Sequence, residues 1–149
     1  MKVSCQIQIN APKEKVWNII TNIEKAAEHI SGIKSVEVLE KPDSGVIGLK
    51  WKETREMFGK EAQETMWITE AIENSYYQTR AESHGAIYIS KMAIDEENGT
   101  STLTMSFDGT AQTTGAKIMS ALMGWMFKKG TIKAIEKDLS DIKARAEQR

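Results

Sequence analysis

The 149-residue sequence contains one cysteine and two histidines, and this scarcity excludes several kinds of site. Cys5 has no partner for an internal disulfide, which is typical of proteins in a reducing cytoplasm. One cysteine and two histidines are too few to favour a zinc site, and the sequence has neither an HExxH nor a paired CxxC pattern. We therefore expect a cytoplasmic protein with no metal and no cofactor.

An excess of charge of either sign and a long apolar segment are also missing. The net charge is −1 and the pI is near 6.2, so no overall field attracts nucleic acid. The longest apolar run, Ile118–Phe127, is about half the length that spans a bilayer, and the N-terminus lacks the apolar segment of a signal peptide. We expect no nucleic-acid partner, no stable membrane insertion and a single domain over residues 1–149, with the oligomeric state left open.

The beginning of the sequence predicts one strand and two short helices. Apolar residues alternate with polar ones from Val3 to Ile9, which is the period of a half-buried strand. Helical spacing follows over Lys13–Thr21 and again over Ile23–Ile30. Cys5 shares the apolar face of the strand, which favours a buried, inert thiol over a nucleophile.

From residue 33 the period changes to two for about seventy-five residues, which predicts an antiparallel meander. The predicted strands are Ile33–Glu40, Val46–Phe58, Lys60–Ile72, Tyr76–Ser83, Ala86–Asp95 and Ser101–Thr110. Turn-forming residues separate these strands. Asn98-Gly99 is the strongest turn signal, because both central residues of a type I′ hairpin need positive φ.

The final part of the sequence is helical from about Thr114 to the end, with Gly130 inside the helix. Its predicted apolar stripe comprises Ile118, Met119, Leu122, Met123, Trp125, Met126, Ile132, Ile135, Leu139 and Ile142. The order of elements predicts an α+β fold with a seven-stranded antiparallel sheet and a long C-terminal helix.

The segment Gly45–Thr69 departs from simple alternation. One face of its first run consists of Leu49, Trp51, Glu53, Arg55 and Met57. An acid and a guanidinium in the middle of a face that should be core are typical of a functional site. The alternative is a partly wet sheet face with a surface ion pair that contributes little.

Four segments of the sequence carry a resemblance. They are INAPKEKVWNIITNIEKAAEHISGIKSVEVL, GLKWKETREMFGKEAQETM, SHGAIYIS and ALMGWMFKKGTIKAIEKDLSDIKARAE. Together they resemble the START-like superfamily, also called SRPBCC, which holds the birch-pollen-allergen fold, and the second segment resembles its polyketide cyclase/dehydrase-like branch. The resemblance covers essentially the whole chain and implies one START-like domain.

This resemblance implies a helix-grip fold, in which a curved sheet wraps around the long helix and leaves an elongated, mostly apolar cavity. Superfamily members hold lipids, polyketides, quinones or other hydrophobic compounds there. A few catalyse cyclisation or dehydration and many have no assigned activity, so the fold alone does not define the function.

Strand parity and the resemblance together select candidate ligand-binding residues on the inner face of the sheet and on the helix. They are Trp51, Glu53, Arg55, Glu64, Met66, Tyr88, Met105, Phe107, Met119, Leu122, Met123 and Met126. The methionines suit a wall that adapts to its ligand, but they suit a packed core equally well. A hairpin at Phe58-Gly59 is expected to bring Glu64 across from Met57 or nearby. Arg55 between two carboxylates would then orient a carbonyl or hydroxyl group.

Three functions follow from these residues. The first is the binding or transport of a hydrophobic small molecule, such as a lipid, a quinone or a polyketide-like compound. The second is a metal-free, cyclase/dehydratase-like enzyme with Glu53 or Glu64 as its base. In that enzyme Arg55 or Tyr88 would polarise a carbonyl. The third is a protein-interaction module that uses a sheet edge or an outward Trp67.

Two further groups of residues each have two interpretations. His84 lies in a turn signal and is either an exposed turn residue, which is favoured, or part of the rim of the cavity. The lysines of the long helix are offset by Glu136, Asp138 and Asp141, which favours a solvated face over contact with a membrane surface.

Overall fold

The computed structural model describes residues 1–57 and 59–148. The strands are β1 (Lys2–Ile9), β2 (Ile33–Glu40), β3 (Lys50–Met57), β4 (Lys60–Ile72), β5 (Tyr76–Ser83), β6 (Ala86–Glu97) and β7 (Thr100–Ala111). The helices are α1 (Lys13–Thr21) and α2 (Thr114–Ala146), with a 3-10 helix at Ile23–Glu28. In the described residues the strands form a seven-stranded antiparallel sheet in the order β1-β7-β6-β5-β4-β3-β2. The predicted α+β architecture of a curved sheet and a long C-terminal helix is confirmed.

Most element boundaries agree with the prediction, and the largest difference is at the start of β3. This strand begins at Lys50, whereas the sequence predicted Val46. Gly45 and Gly48 have φ of 67° and 92°, and the N–H of Leu49 donates to the carbonyl of Val46 over 3.1 Å. Left-handed glycines and a tight turn interrupt the extended backbone here, so residues 46–49 are a loop.

The predicted hairpin turns have the positive φ angles that are typical of their asparagine, histidine and glycine residues. Asn98 and Gly99 have φ of 54° and 82°, which confirms the type I′ signal. The β5–β6 turn is also left-handed at both His84 and Gly85. At the predicted turn Phe58-Gly59, Phe58 lies outside the described residues and Gly59 has φ of 77°.

The core lies between the inner face of the sheet, α1 and the C-terminal half of α2. Its fully buried side chains are Ile9, Val16, Ile68, Leu103, Leu139 and Ile142. Cys5 is half-buried on the same face of β1, and burial raises the pKa of its thiol, with a further contribution from the charge of Glu136. A raised pKa keeps the thiol protonated, which agrees with an inert role.

The two halves of α2 differ in burial. Leu139 in the C-terminal half is 1% exposed, whereas Leu122 in the N-terminal half is 71% exposed. The sequence predicted one continuous stripe, and this prediction is wrong. Seventeen residues at about 100° each place these two leucines about 100° apart around the helix axis, so one straight helix cannot turn both towards the sheet.

Polar contacts fasten α2 at both of its ends. The N–H groups of Gln112 and Thr113 donate to the carbonyl of Gly85 over 2.7 and 3.2 Å, and Thr113 caps the helix by accepting from the N–H of Ala116 over 3.1 Å. Near the other end, Lys143 Nζ donates to the carbonyl of Gln8 over 2.6 Å. The start of α2 is thereby tied to the β5–β6 hairpin and its end to β1.

Candidate functional site

The polar residues of β3 lie on the inner face of the sheet. Trp51 is 3% exposed, and the side chains of Glu53 and Arg55 are 12% and 21% exposed. Met57 pairs with Lys60 across the hairpin, and this register places Glu64 opposite Glu53. The expectation that Glu64 lies across from Met57 or nearby is therefore wrong by four residues, because the pairing of Met57 with Lys60 sets the register. Directly opposed residues share a face, so both carboxylates point inward.

Arg55 is held by two carboxylates. Its Nε donates to Glu53 Oε2 over 2.7 Å, and its Nη1 and Nη2 donate to the two oxygens of Asp138 over 3.2 and 2.7 Å. Burial alone would lower the pKa of Arg55, but hydrogen bonds and charge from Asp138 and Glu53 outweigh it and raise that pKa. This bidentate geometry is the strong form of an arginine–carboxylate pair.

The second carboxylate of this ion pair differs from the predicted one. The sequence reasoning paired Arg55 with Glu53 and Glu64, and it placed Asp138 on a solvated face of α2. Asp138 is 6% exposed. Its spacing of three residues from Ile135 and four from Ile142 places it on the buried face of the helix, and this signal was available in the sequence. Because Arg55 already binds two acids, it serves to hold β3 against α2.

The loop before β2 covers the ion pair. A Cβ atom on Gly32 would lie 3.2 Å from Arg55 Nη1 and 3.7 Å from Asp138 Oδ1. The N–H and the hydroxyl of Ser31 both donate to Asp141 Oδ2 over 2.9 Å. The loop thus approaches α2 closely where glycine leaves room, and it shields the charges from water.

A second polar cluster lies towards the β5–β6 hairpin. Glu64 is half-buried, and burial raises the pKa of its carboxyl, supported by the charge of Glu53 and opposed by a hydrogen bond from Ser83 and the charge of His84. Tyr88 is half-buried, and burial and the charge of Glu64 raise the pKa of its hydroxyl. Glu64 and Tyr88 are therefore a second pair of polar residues with raised pKa values on the inner face, separate from the ion pair.

His84 belongs to the edge of this cluster. It is exposed, it has φ of 50°, and its Nδ1 lies 2.8 Å from the hydroxyl of Ser83. The preferred interpretation of an exposed turn histidine is confirmed.

The pKa of Glu64 makes a testable prediction about stability. A carboxyl whose pKa is higher in the folded state destabilises the fold when ionised, and this effect is absent below the unfolded pKa of about 4.3. Glu64→Gln should therefore raise the melting temperature at neutral pH, and the gain should vanish as the pH falls through the folded pKa to about 4. Glu73→Gln, in an exposed turn, is the control for loss of one charge. A gain that grew on acidification would contradict the raised pKa.

The other candidate residues divide into two groups. Met66, Tyr88, Met105 and Phe107 are half-buried on the inner face, and with Glu64 they line what we call the trough. The rings of Tyr88 and Phe107 stack with centroids 5.5 Å apart. On α2, Met123 is half-buried but Met119, Leu122 and Met126 are exposed, which corrects their placement against the sheet. Helical phase separates them from the buried stripe.

The five trough residues are each partly exposed to solvent. Two surface depressions lie elsewhere, one of about 210 Å³ beside the 3-10 helix and the loop before β3, and one of about 410 Å³ beside α1 and Arg145. One inner-face group near the trough has no hydrogen bond. Among the described residues, Trp51 Nε1 is the buried side-chain polar atom that lacks a partner. A buried N–H of this kind usually finds an acceptor.

Trp67, the candidate for protein interaction, lies on the outer face. It is half-buried, and Lys50 Nζ lies 5.7 Å from the centroid of its ring. Among the described residues, no helix combines the length and the hydropathy needed to cross a bilayer.

A curved antiparallel sheet and a long C-terminal helix form the helix-grip fold, and comparison with known proteins assigns the family. A model of the family described as polyketide cyclase/dehydrase and lipid transport matches residues 1–147, so the chain belongs to this family. No curated protein matches the sequence.

Solved structures show the same fold at low identity. A START superfamily protein from Mycobacterium smegmatis has a TM-score of 0.82 at 17% identity, over 99% of this chain and 97% of that chain. A Thermus thermophilus protein has a TM-score of 0.82 at 16% identity, over 98% and 97% of the two chains. The Zhui aromatase/cyclase of a Streptomyces species has a TM-score of 0.77 at 14% identity, over 100% and 94%.

Proposed function

We propose that the protein binds or transports a hydrophobic small molecule, such as a lipid, a quinone or a polyketide-like compound, in the trough between the inner face of the sheet and α2. The observation that carries this proposal is that Met66, Met105 and Phe107, on the inner face of the sheet, are only half-buried. Elsewhere on the same face the side chains of Ile68 and Leu103 are fully buried. Apolar walls with a few polar groups are typical of small-molecule sites. Membership of a family described by polyketide chemistry and lipid transport supports the same conclusion.

The polar groups of the trough indicate what kind of ligand fits. Arg55 already pairs with Glu53 and Asp138 and has little attraction left for a strong anion. The hydroxyl of Tyr88 is a hydrogen-bond donor to a carbonyl or hydroxyl oxygen, and burial shifts the Glu64 carboxyl towards its neutral form, which is also a donor. A largely apolar molecule with one neutral oxygen function therefore suits the trough better than a phosphate or a free acid.

A direct test measures binding of the neutral dye Nile red, and its displacement by fatty alcohols and quinones. Phe107→Ser should weaken dye binding about tenfold or more, because it removes an aromatic wall of the trough. Ile89→Ser is the matched control, since Ile89 lies opposite Asp108 on the outer face and is also half-buried. Melting curves of both variants separate loss of binding from loss of folding. Equal dye binding in both variants, or no dye binding by the parent protein, would contradict the proposal.

Catalysis on a polyketide-like substrate is the second candidate, favoured by the perturbed pKa values of Glu64 and Tyr88. It requires that Glu64→Gln abolish the conversion of a bound poly-β-ketone analogue, as measured by mass spectrometry. The affinity of the variant for this analogue should be unchanged. Equal loss of affinity and conversion would favour the carrier. Glu53 and Arg55 are poorer catalysts than the sequence suggested, because their mutual bond and the bond to Asp138 occupy them.

A further inference from the structure

The N-terminal half of α2 exposes a row of large apolar side chains. The row, which we call the apolar ridge, consists of Ile118 (57% exposed), Met119 (52%), Leu122 (71%), Trp125 (70%) and Met126 (43%). Their spacing of three, four and seven residues places them on one side of the helix. Contiguous exposed apolar groups of this kind mark surfaces that contact another phase or another molecule.

The apolar ridge points away from the sheet. Between residues 114 and 129 the half-buried residues are Ala116, Met123 and Gly124, and they define the side of α2 that faces the protein. Gly124 lies two residues beyond Leu122, about 200° around the helix axis. The ridge is therefore a surface of its own, distinct from the wall of the trough.

The charged residues in this part of the sequence are all of one sign. From Gly109 to Ile135 the sequence has no acidic residue, and its ionisable side chains are Lys117, Lys128, Lys129 and Lys133, although the chain as a whole carries −1. Lys129 and Lys133 continue the ridge at the same helical spacing. Within the described part of the chain, none of these four lysines forms a salt bridge.

We propose that this half of α2 docks the protein on the surface of an anionic lipid bilayer, with the apolar ridge in the headgroup boundary. A helix with an apolar side, a tryptophan and a lysine-rich flank lies in the plane of the interface, where acyl chains accept the ridge and anionic headgroups attract the lysines. A second copy of the chain fits less well, because a two-fold contact through the ridge would bring the same lysines together. This docking goes beyond ligand binding and stands independently of it.

Sedimentation with lipid vesicles tests the docking. The protein should bind vesicles of phosphatidylcholine mixed with phosphatidylglycerol, and it should bind phosphatidylcholine alone much more weakly. Leu122→Ser with Trp125→Ser should lower partitioning into the mixed vesicles about a hundredfold. Ile47→Ser with Ile72→Ser is the matched control, because both isoleucines are more than half exposed outside α2. Lys129→Gln with Lys133→Gln should lower binding to the mixed vesicles roughly thirtyfold.

Three results would overturn the proposal. One is equal vesicle binding by the ridge variant and the isoleucine control. Another is a dimer in analytical ultracentrifugation that the ridge variant dissociates while vesicles bind neither protein, since the ridge would then join two copies. The third is binding to both kinds of vesicle that salt does not weaken, because the lysines would then have no role. All the substituted residues are exposed, and thermal unfolding of each variant verifies that the fold is retained.

Discussion

Asp138→Ala is expected to lower the free energy of unfolding by about 3 kcal/mol, because it leaves the buried guanidinium of Arg55 with one carboxylate instead of two. The side chains of Arg55 and Asp138 are 21% and 8% exposed, so water replaces the lost partner poorly. Glu53 retains its bond to Arg55 Nε, which places the loss at the lower end of the range for broken buried pairs. Urea unfolding at neutral pH, with an unchanged m-value, measures the difference.

Two further variants show whether the loss of stability in Asp138→Ala comes from leaving the buried charge of Arg55 without its partner. Arg55→Met combined with Asp138→Leu should recover most of the stability, because well-packed apolar residues replace a buried ion pair with little loss. Lys41→Ala removes an exposed pair with Glu24 at 2.7 Å, and it should change stability by about 0.5 kcal/mol or less. A loss below about 1 kcal/mol for Asp138→Ala would show that the pair behaves as a surface contact.

Leu139→Ala should destabilise the protein by about 3–5 kcal/mol, whereas Leu122→Ala should change stability by no more than about 0.5 kcal/mol. Both substitutions remove the same atoms from the same helix, so the intrinsic helix preference changes equally. They differ in environment, since Leu139 is fully buried against the core and Leu122 is largely in water. Loss of Leu139 leaves a cavity that the packed neighbours fill only in part.

Thermal unfolding of the two leucine variants beside the parent protein checks this prediction. For a chain of this size each kcal/mol shifts the melting temperature by about 2–4 °C, so Leu139→Ala should melt roughly 6–20 °C lower. Similar melting temperatures for the two variants would contradict the difference between the halves of α2. A large loss for Leu122→Ala alone would show that the apolar ridge is covered in solution.

The strands were predictable because their signals are local. The bounds of β4 follow from alternation and from the turn residues beside it, and parity correctly placed Trp51, Glu53 and Arg55 on one inner face. A period of two leaves no ambiguity about which face a side chain occupies. The register of Glu64 was missed because it depends on the length of a turn rather than on the pattern within the strand.

The helix was harder to interpret because its signals depend on distant partners. Asp138 was assigned to water by its charge, although its partner Arg55 lies 83 residues away in the sequence. Met119, Leu122 and Met126 were assigned to the interior by their hydrophobicity, although the phase of the helix turns them outward. A small domain cannot bury all of its apolar residues, and composition alone does not reveal which of them stay exposed.

The attachment of α2 at both ends limits how the helix can move. Thr113 is hydrogen-bonded to the β5–β6 hairpin, and Asp138 and Lys143 hold the C-terminal half of the helix. Because both ends are fixed, α2 cannot swing outward about one end. Lifting it would break an ion pair and a packed core together. For the ligand that we propose, entry would therefore be from the side, beneath the N-terminal half of α2, without displacement of the helix.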